Sequence, residues 1–135
     1  MADRTFDIQE FIPSYPSRDL AAAADFYGRE LRLALAREEA GRVVFRVGEG
    51  AWLAFHVHED RTHENEAHED RVAPLPGLVL SFVTEQVDAL YQSLRHHGVE
   101  TEGRPKASGH DGAYGFVARD PDGYRVRVCR PAPRS

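Results

Sequence analysis

The stretch that decides the fold is residues 11 to 31, which read FIPSYPSRDLAAAADFYGREL. Pro13 and Pro16 cannot lie inside a helix, so the first part of this stretch is predicted to be an extended strand. Ser17 and Asp19 follow, and their side chains can accept hydrogen bonds from the free N–H groups at the start of a helix. From there the buriable residues recur at the spacing of one helical face, at Leu20, Ala23, Ala24, Tyr27 and Leu31. The stretch therefore predicts a strand followed by an amphipathic helix.

Three short strands are predicted after this helix. Residues 33–39 and 42–47 alternate in polarity and are separated by Gly41, which is typical of a hairpin. A third strand is predicted over residues 51–58, and its alternation places Trp52, Ala54, His56 and His58 on one face. The first half of the chain is therefore predicted to run β-α-β-β-β.

The segment from residue 59 to residue 71 differs in composition from the rest of the chain. It contains six acidic residues, two arginines and two histidines but no large apolar residue. Such a segment cannot bury itself, so residues 59–75 are predicted to form a solvated acidic linker.

The pattern of the first half returns after the linker. A strand is predicted over residues 78–83, followed by a helix that begins near Thr84 and ends at Gly98. Further strands are predicted over residues 99–102, 113–118 and 124–130, with an Asp-Pro-Asp-Gly turn at 120–123. One constant shift in numbering carries Leu20, Ala23, Ala24 and Tyr27 onto Val87, Leu90, Tyr91 and Leu94. The chain is therefore predicted to be a single domain of two repeated modules, at about residues 6–60 and 76–131.

Composition restricts the functions that the chain can have. The length of 135 residues is sufficient for one stable domain, and the single cysteine, Cys129, excludes an intramolecular disulfide or a cysteine-cluster zinc site. The net charge of −5 disfavours a nucleic-acid partner. No apolar run approaches the roughly 20 residues of a spanning helix, so no membrane partner is predicted. No secretion leader is recognisable at the start of the chain, so a cytoplasmic location is predicted.

Each predicted sheet carries a helix on one face and leaves its other face uncovered. Two such sheets are expected to curl toward each other and enclose a cleft. The predicted fold class is therefore α+β, with two βαβββ modules that form a cleft-enclosing sheet and place their helices on the outside. We expect the functional site in this cleft.

The ordered motifs resemble those of the vicinal oxygen chelate superfamily, which includes glyoxalase I, extradiol dioxygenases and bleomycin resistance proteins. The resemblance covers about residues 11 to 130. It rests on Pro-Ser-Arg-Asp-Leu at 16–20, Phe-Tyr at 26–27, Val-Asp-Ala at 87–89, Gly98, Phe116 and Asp-Pro-Asp-Gly at 120–123. The first two motifs are most similar to the bleomycin-resistance branch. Residues 30–33, Glu-Leu-Arg-Leu, depart from the usual Leu-Gly-Phe of the family.

The resemblance implies four metal-ligand positions, typically occupied by His and Glu in each module. They correspond here to Ile12, Ala54, Val79 and Arg127. None of these side chains has the imidazole, carboxylate or thiolate lone pairs that a divalent metal requires. The prediction is therefore that the protein has no metal site and no cofactor.

The resemblance also implies which side chains face the cleft and bind a ligand. Flat side chains can stack on planar rings, and arginines can hold an anionic or carbonyl group. The predicted ligand-binding residues are Ser14, Trp52, His56, Ser81, His110, Tyr114, Phe116, Arg125 and Arg127. For Tyr114 and Phe116 the contribution depends on the phase of the strand, and His110 lies in a glycine-flanked loop.

The predicted function is metal-independent binding of a planar, antibiotic-like small molecule, as in antibiotic resistance, by a homodimer such as the resemblance implies. The alternative is a metal-dependent lyase, isomerase or dioxygenase with a displaced ligand set that includes His56, His58 or His110. A third interpretation is that the acidic linker docks a protein partner. Cys129 shares a face with Arg125 and Arg127 and could be a reactive thiol, but no base is evident beside it, so we expect a passive cysteine.

Overall fold

The computed structural model describes residues 6–58, 77–109 and 111–131, and these form two four-stranded sheets. The first sheet contains β1 (Ser14–Ser17), β2 (Ala34–Glu39), β3 (Arg42–Val47) and β4 (Ala51–Val57) in the spatial order β1-β4-β3-β2. The second contains β5 (Val79–Val83), β6 (Lys106–Ala107), β7 (Tyr114–Arg119) and β8 (Arg125–Cys129) in the order β5-β8-β7-β6. In both sheets the first strand is parallel to the last and the other pairs are antiparallel.

One helix accompanies each sheet. Helix α1 (Leu20–Asp25) continues as a π-helical turn (Phe26–Glu30), and helix α2 spans Val87–His96. Each half therefore runs β-α-β-β-β, which confirms the predicted α+β class and its two βαβββ modules. The predicted acidic linker, residues 59–75, lies outside the described residues.

The beginning of α1 matches its sequence signal, but its end does not. Asp19 caps the helix, and its Oδ1 accepts a hydrogen bond from the Ala22 N–H at 3.1 Å. The regular helix predicted to Leu31 instead widens, and the Leu31 N–H donates to the carbonyl of Phe26, five residues earlier. The wider turn accommodates two consecutive buried aromatic residues, Phe26 and Tyr27, whose rings pack edge to face at 5.0 Å.

Helix α2 begins later than predicted. The residue before its first turn is Gln86, and the Thr84 hydroxyl accepts a hydrogen bond from the Gln86 N–H at 3.1 Å, so Thr84 shapes the preceding turn rather than capping the helix. The prediction for the end of the helix is confirmed. Gly98 has φ +79°, and the next N–H, of Val99, donates to the Leu94 carbonyl at 2.9 Å.

The strand predicted over residues 99–102 is wrong. Only Thr101 makes a bridge there, to Ala118, and the edge strand of the second sheet is β6 at Lys106–Ala107. The chain turns away from the sheet at Gly103, where φ is +96°, and Pro105 has no N–H to donate to a neighbouring strand.

The two halves are joined through the helix side of the molecule and the 120–123 turn. The Tyr27 hydroxyl donates to Asp120 Oδ2 at 2.6 Å, and the Tyr124 hydroxyl donates to the carbonyl of Pro16 at 2.8 Å. The Arg18 N–H adds a hydrogen bond to Asp122 Oδ1 at 2.9 Å. The Asp-Pro-Asp-Gly turn of the second module therefore fixes the start of the first.

A contact between equivalent positions supports the repeat. His97 Nδ1 lies 2.8 Å from Glu30 Oε1, and the two residues are 67 positions apart, which is the shift that relates Leu20 to Val87. Two copies of a module that are related by an approximate twofold axis bring equivalent positions together at that axis. Among the described residues, no helix is long and apolar enough to cross a membrane.

Candidate functional site

Each sheet presents one face that is turned away from its helix. Strand pairing shows which residues share it, because directly opposed residues in a sheet point to the same side. On the first sheet Ser14 is opposite Ala54, and Arg42 is opposite His56. We call this face, which carries Ser14, Arg42, Trp52, Ala54 and His56, the first open face. The second open face carries Ser81, Gly115, Val117, Arg119, Arg125, Arg127 and Cys129.

The first open face combines an indole with a serine–histidine pair. Ser14 Oγ lies 2.7 Å from His56 Nδ1, so the two side chains are hydrogen bonded across the parallel strands β1 and β4. Trp52 is half-buried, and the Arg37 guanidinium lies 5.9 Å from its ring centroid, a cation–π distance. This face therefore offers an aromatic surface next to groups that can donate and accept hydrogen bonds.

The second open face is dominated by arginines that share a carboxylate. Arg125 donates to both carboxylate oxygens of Glu102, at 3.1 and 3.3 Å, and Arg119 donates to the same residue at 3.1 Å. The hydrogen bond from Arg125 lowers the pKa of Glu102, although partial burial opposes the effect. Glu102 is therefore ionised at neutral pH and holds two guanidinium groups in place.

A second ion pair lies on the same face. Arg127 donates to both oxygens of Asp111, at 2.9 and 3.1 Å, and this hydrogen bonding to Asp111 raises the pKa of Arg127. The Arg127 side chain is 23% exposed, so its charge is only partly removed from water. Cys129, two residues further along β8, is a free thiol and is buried.

Two cavities meet at the Glu102–Arg125 pair. The larger, of about 840 Å³, lies at the junction of the halves and is also lined by Arg18, Asp120 and Asp122. The smaller, of about 300 Å³, lies on the second open face, and its lining includes Arg104, Lys106, Gly115, Val117 and Arg127. Trp52 lines a separate cavity of about 330 Å³ together with Phe11 and Pro13.

The structure brings the predicted site residues together in two groups rather than one. Ser14, Trp52 and His56 lie on the first open face, and the described members of the other group are Ser81, Arg125 and Arg127 on the second. His110 lies outside the described residues.

The expected orientation of Tyr114 and Phe116 is wrong. The Tyr114 hydroxyl donates to Asp88 of α2 at 2.6 Å, and the Phe116 ring packs edge to face on Tyr91 of α2 at 5.3 Å. Both side chains therefore lie on the helix side of β7. The strand phase is set by Gly115, which opposes Cys129 on the open face: a Cβ at that position would overlap the Val128 carbonyl oxygen.

The four positions that correspond to the metal ligands of the superfamily do not fit a divalent cation. Ala54 and Val79 present alkyl groups opposite Ser14 and Arg125, and Arg127 is a cation already bound to Asp111. Ile12 supplies no lone pair either. Over the described parts of the chain, no three His, Cys, Asp or Glu side chains are close enough to hold a metal ion.

Sequence reasoning missed the acidic partners and two cations of the second open face. Glu102 and Arg104 come from the segment between Thr101 and β6, part of which the sequence predicts to be a strand, and Lys106 is the first residue of β6. The available signal was the alternation of charged residues with Gly103 and Pro105, which is typical of a loop that displays its side chains.

Comparison with known proteins was consistent with this architecture. No curated protein sequence matches the chain. Among solved structures, a bleomycin resistance determinant encoded on transposon Tn5 is 22% identical over 91% of this chain and 98% of its own, with a TM-score of 0.64. A Glyoxalase/bleomycin resistance protein/dioxygenase superfamily member from Sphaerobacter thermophilus is 20% identical over 93% and 98%, with a TM-score of 0.68. A hypothetical protein from S. aureus is 20% identical over 93% and 96%, with a TM-score of 0.70.

These likenesses establish the fold, and the match to a family model establishes the family. The model of the Glyoxalase/Bleomycin resistance protein/Dioxygenase superfamily matches residues 12–128, which is most of the chain. The chain belongs to the Glyoxalase/Bleomycin resistance protein/Dioxygenase superfamily.

Proposed function

We propose that the protein binds a planar, ring-bearing small molecule without the help of a metal ion. The observation that carries this proposal is the residue type found at the positions that bind metal in the superfamily. Ala54 stands where a metal-binding side chain is expected. Nearby positions on the same face hold Trp52 and the hydrogen-bonded pair Ser14–His56. With alanine at this position, the groups that the face offers are suited to stacking on an organic molecule and to hydrogen bonding with it.

The first open face has the contacts that a flat ligand needs. An indole that stacks on an aromatic ring contributes about 0.5–1.5 kcal/mol beyond the burial of area. The Ser14–His56 pair can exchange one hydrogen bond for another with a polar substituent of the ligand. The structurally similar Tn5 protein is a bleomycin resistance determinant, and this likeness supports an antibiotic-like ligand for the present chain.

We further propose that the protein acts as a homodimer. The described start of the chain exposes three large apolar side chains, Phe6, Ile8 and Phe11, and Val83 of β5 is also more than half exposed. Three exposed apolar side chains within six residues support a surface that meets a partner at the start of the chain. Sedimentation across a range of protein concentrations should show a dimer, and a constant monomer would contradict this proposal.

The experiment that tests binding uses the fluorescence of Trp52, the only tryptophan. Titration with a panel of neutral, cationic and anionic ring compounds should quench or shift the emission for at least one of them. Replacement of His56 by glutamine should lower the affinity for that compound severalfold, because the new side chain no longer pairs with Ser14 in the same way. The matched control His96→Gln, on an exposed turn of α2, should leave the affinity unchanged.

Two results would count against the proposal. If no ring compound in the panel changes the emission or releases heat in calorimetry, the face does not bind such ligands. If protein purified without an affinity tag carries one equivalent of a transition metal, and chelation abolishes binding, the metal-dependent alternative replaces it. Binding that is unaffected by chelation supports the proposal.

A further inference from the structure

The cavity of about 300 Å³ on the second open face has an unusual charge for this protein. Four cationic side chains line it, Arg104, Lys106, Arg125 and Arg127, together with a single carboxylate, Glu102. The chain as a whole has a net charge of −5. A concentration of positive charge on an acidic chain marks a place where the protein keeps cations despite its general composition.

The local carboxylates do not neutralise these cations. Glu102 is shared between Arg125 and Arg119, and Asp111 is occupied by Arg127. Among the described residues, no ion pair joins Arg104 or Lys106 to a carboxylate, whereas Arg119, Arg125 and Arg127 each form one. The four cationic groups that line the cavity, with Arg119 beside them, therefore meet two carboxylates, Glu102 and Asp111, and the excess positive charge is open to the cavity.

The two carboxylates also orient the arginines that they bind. Arg125 and Arg127 are held by paired hydrogen bonds, and both side chains remain partly exposed, at 41% and 23%. A guanidinium that is fixed in this way loses less conformational freedom when it accepts a second partner. The planar fork of arginine matches the oxygens of a carboxylate or a phosphate.

We propose that this cavity binds the oxyanion group, a carboxylate or a phosphate, of a small ring-bearing ligand. This inference rests on the proposed function and assigns a ligand class to the second open face. The volume lies at the lower end of small-molecule sites and suits a single ring with one anionic substituent. Arg104 and Lys106 supply the unneutralised charge, and Arg125 and Arg127 supply oriented donors. Glu102 and Asp111 orient these donors, while their negative charge opposes an incoming anion.

The test measures binding of phenyl phosphate, benzoate and the neutral analogue benzamide by calorimetry and by amide chemical shifts. The two anions should bind about tenfold or more tightly than benzamide, and their affinity should fall as salt is added. The shifted amides should cluster at residues 104–107, 115–117 and 125–127. Comparison of phenyl phosphate with benzoate then shows which oxyanion the cavity prefers.

Charge variants separate this site from a general electrostatic effect. Lys106→Gln and Arg104→Gln should each lower the affinity for the two anions by about threefold to tenfold. The control Arg95→Gln, on α2, should leave that affinity unchanged. Asp111→Asn keeps Oδ1 as an acceptor for the Ala113 N–H and for Arg127, so Arg127 stays oriented, but it removes a negative charge that opposes an incoming anion, so it should tighten anion binding by about threefold. A gain of affinity cannot be produced by a variant that has lost its fold.

The outcomes distinguish this inference from the proposed function. If ring compounds bind but their affinity is independent of charge, or if Arg95→Gln weakens anions as much as Lys106→Gln, the inference is overturned and the proposed function stands. If Asp111→Asn weakens anion binding, the Asp111 charge does not oppose an anion in this cavity and the inference falls. If no ring compound of any charge binds, both are overturned.

Discussion

The two open faces occupy equivalent positions in the repeat but differ in chemistry. Ser14 of the first half and Ser81 of the second lie at the same point of their strands, and they oppose Ala54 and Arg127 respectively. Two residues earlier on those partner strands, the first half has Trp52 and the second has Arg125. The repeat therefore preserves backbone positions, while one face has become aromatic and the other cationic.

The helix-bearing faces of the two sheets also differ, in the size of their apolar side chains. Tyr15 opposes Phe55 in the first half, and the equivalent pair in the second is Phe82 with Val128. Both pairs are apolar and belong to the hydrophobic core or pack against it, but the first half uses larger aromatic groups. The larger aromatic side chains of the first half extend into the second half, so this difference in size marks the place where the halves meet.

The largest expected effect tests that asymmetry in the core. Phe55 is fully buried and stacks on Tyr27 with ring centroids 4.5 Å apart, and it also contacts Tyr124 of the other half at 6.3 Å. Phe55→Ala should lower the free energy of unfolding by about 3–5 kcal/mol. Val128→Ala, at the equivalent position, should lower it by about 2 kcal/mol, because fewer buried carbon atoms are removed. Urea denaturation of both variants measures the difference, and equal losses would show that the halves contribute alike.

A smaller effect is expected from the hydroxyl of Tyr27, whose equivalent in the second half is Leu94. Tyr27→Phe leaves Asp120 Oδ2 buried without its donor, so the free energy of unfolding should fall by about 1–3 kcal/mol at neutral pH. Urea denaturation at a series of pH values should show that this loss is greatest near neutrality.

The pH dependence follows from the ionisation of Asp120. Burial raises the pKa of Asp120, and the hydrogen bond from Tyr27 opposes this rise, so loss of the hydroxyl raises the pKa further. A carboxyl whose pKa is higher in the folded than in the unfolded state destabilises the fold when it is ionised, and this cost disappears as the pH falls and the group binds a proton. The loss should therefore shrink toward acidic pH. The control Tyr91→Phe, on α2, should show little loss at any pH, and a Tyr27→Phe loss that is constant with pH would contradict the assignment.

Much of the fold could be predicted because local signals agreed with tertiary structure. The prolines before Asp19, the helical stripes and Gly98 each act through steric or hydrogen-bonding rules that the rest of the chain does not override. The repeat was recognisable because both helices must bury one face on a sheet. The strand over residues 99–102 was wrong because a β-branched pattern cannot show that Gly103 diverts the chain after a single bridge.

The candidate site was less predictable, because it depends on which strand face a residue occupies and on partners distant in sequence. A difference of one position in phase placed Tyr114 and Phe116 on the wrong side of β7. The pairing of Arg125 with Glu102 spans 23 residues, and nothing local to either residue indicates it. Alternation did place Arg125, Arg127 and Trp52 on the open faces.

The smallest expected effect concerns Glu30 and His97, where equivalent positions of the two halves touch. Glu30→Gln keeps an oxygen acceptor for the His97 ring but removes the carboxylate charge. The free energy of unfolding should therefore fall by no more than about 1 kcal/mol, as for other partly exposed pairs. A double-mutant cycle with His97→Gln measures the coupling directly, and 1 M salt should reduce it. A coupling of several kcal/mol would mean that the halves are held together by polar contact at their symmetry axis. A small coupling assigns that role to the buried aromatic groups and to the 120–123 turn, because those contacts are removed from water and this one is not.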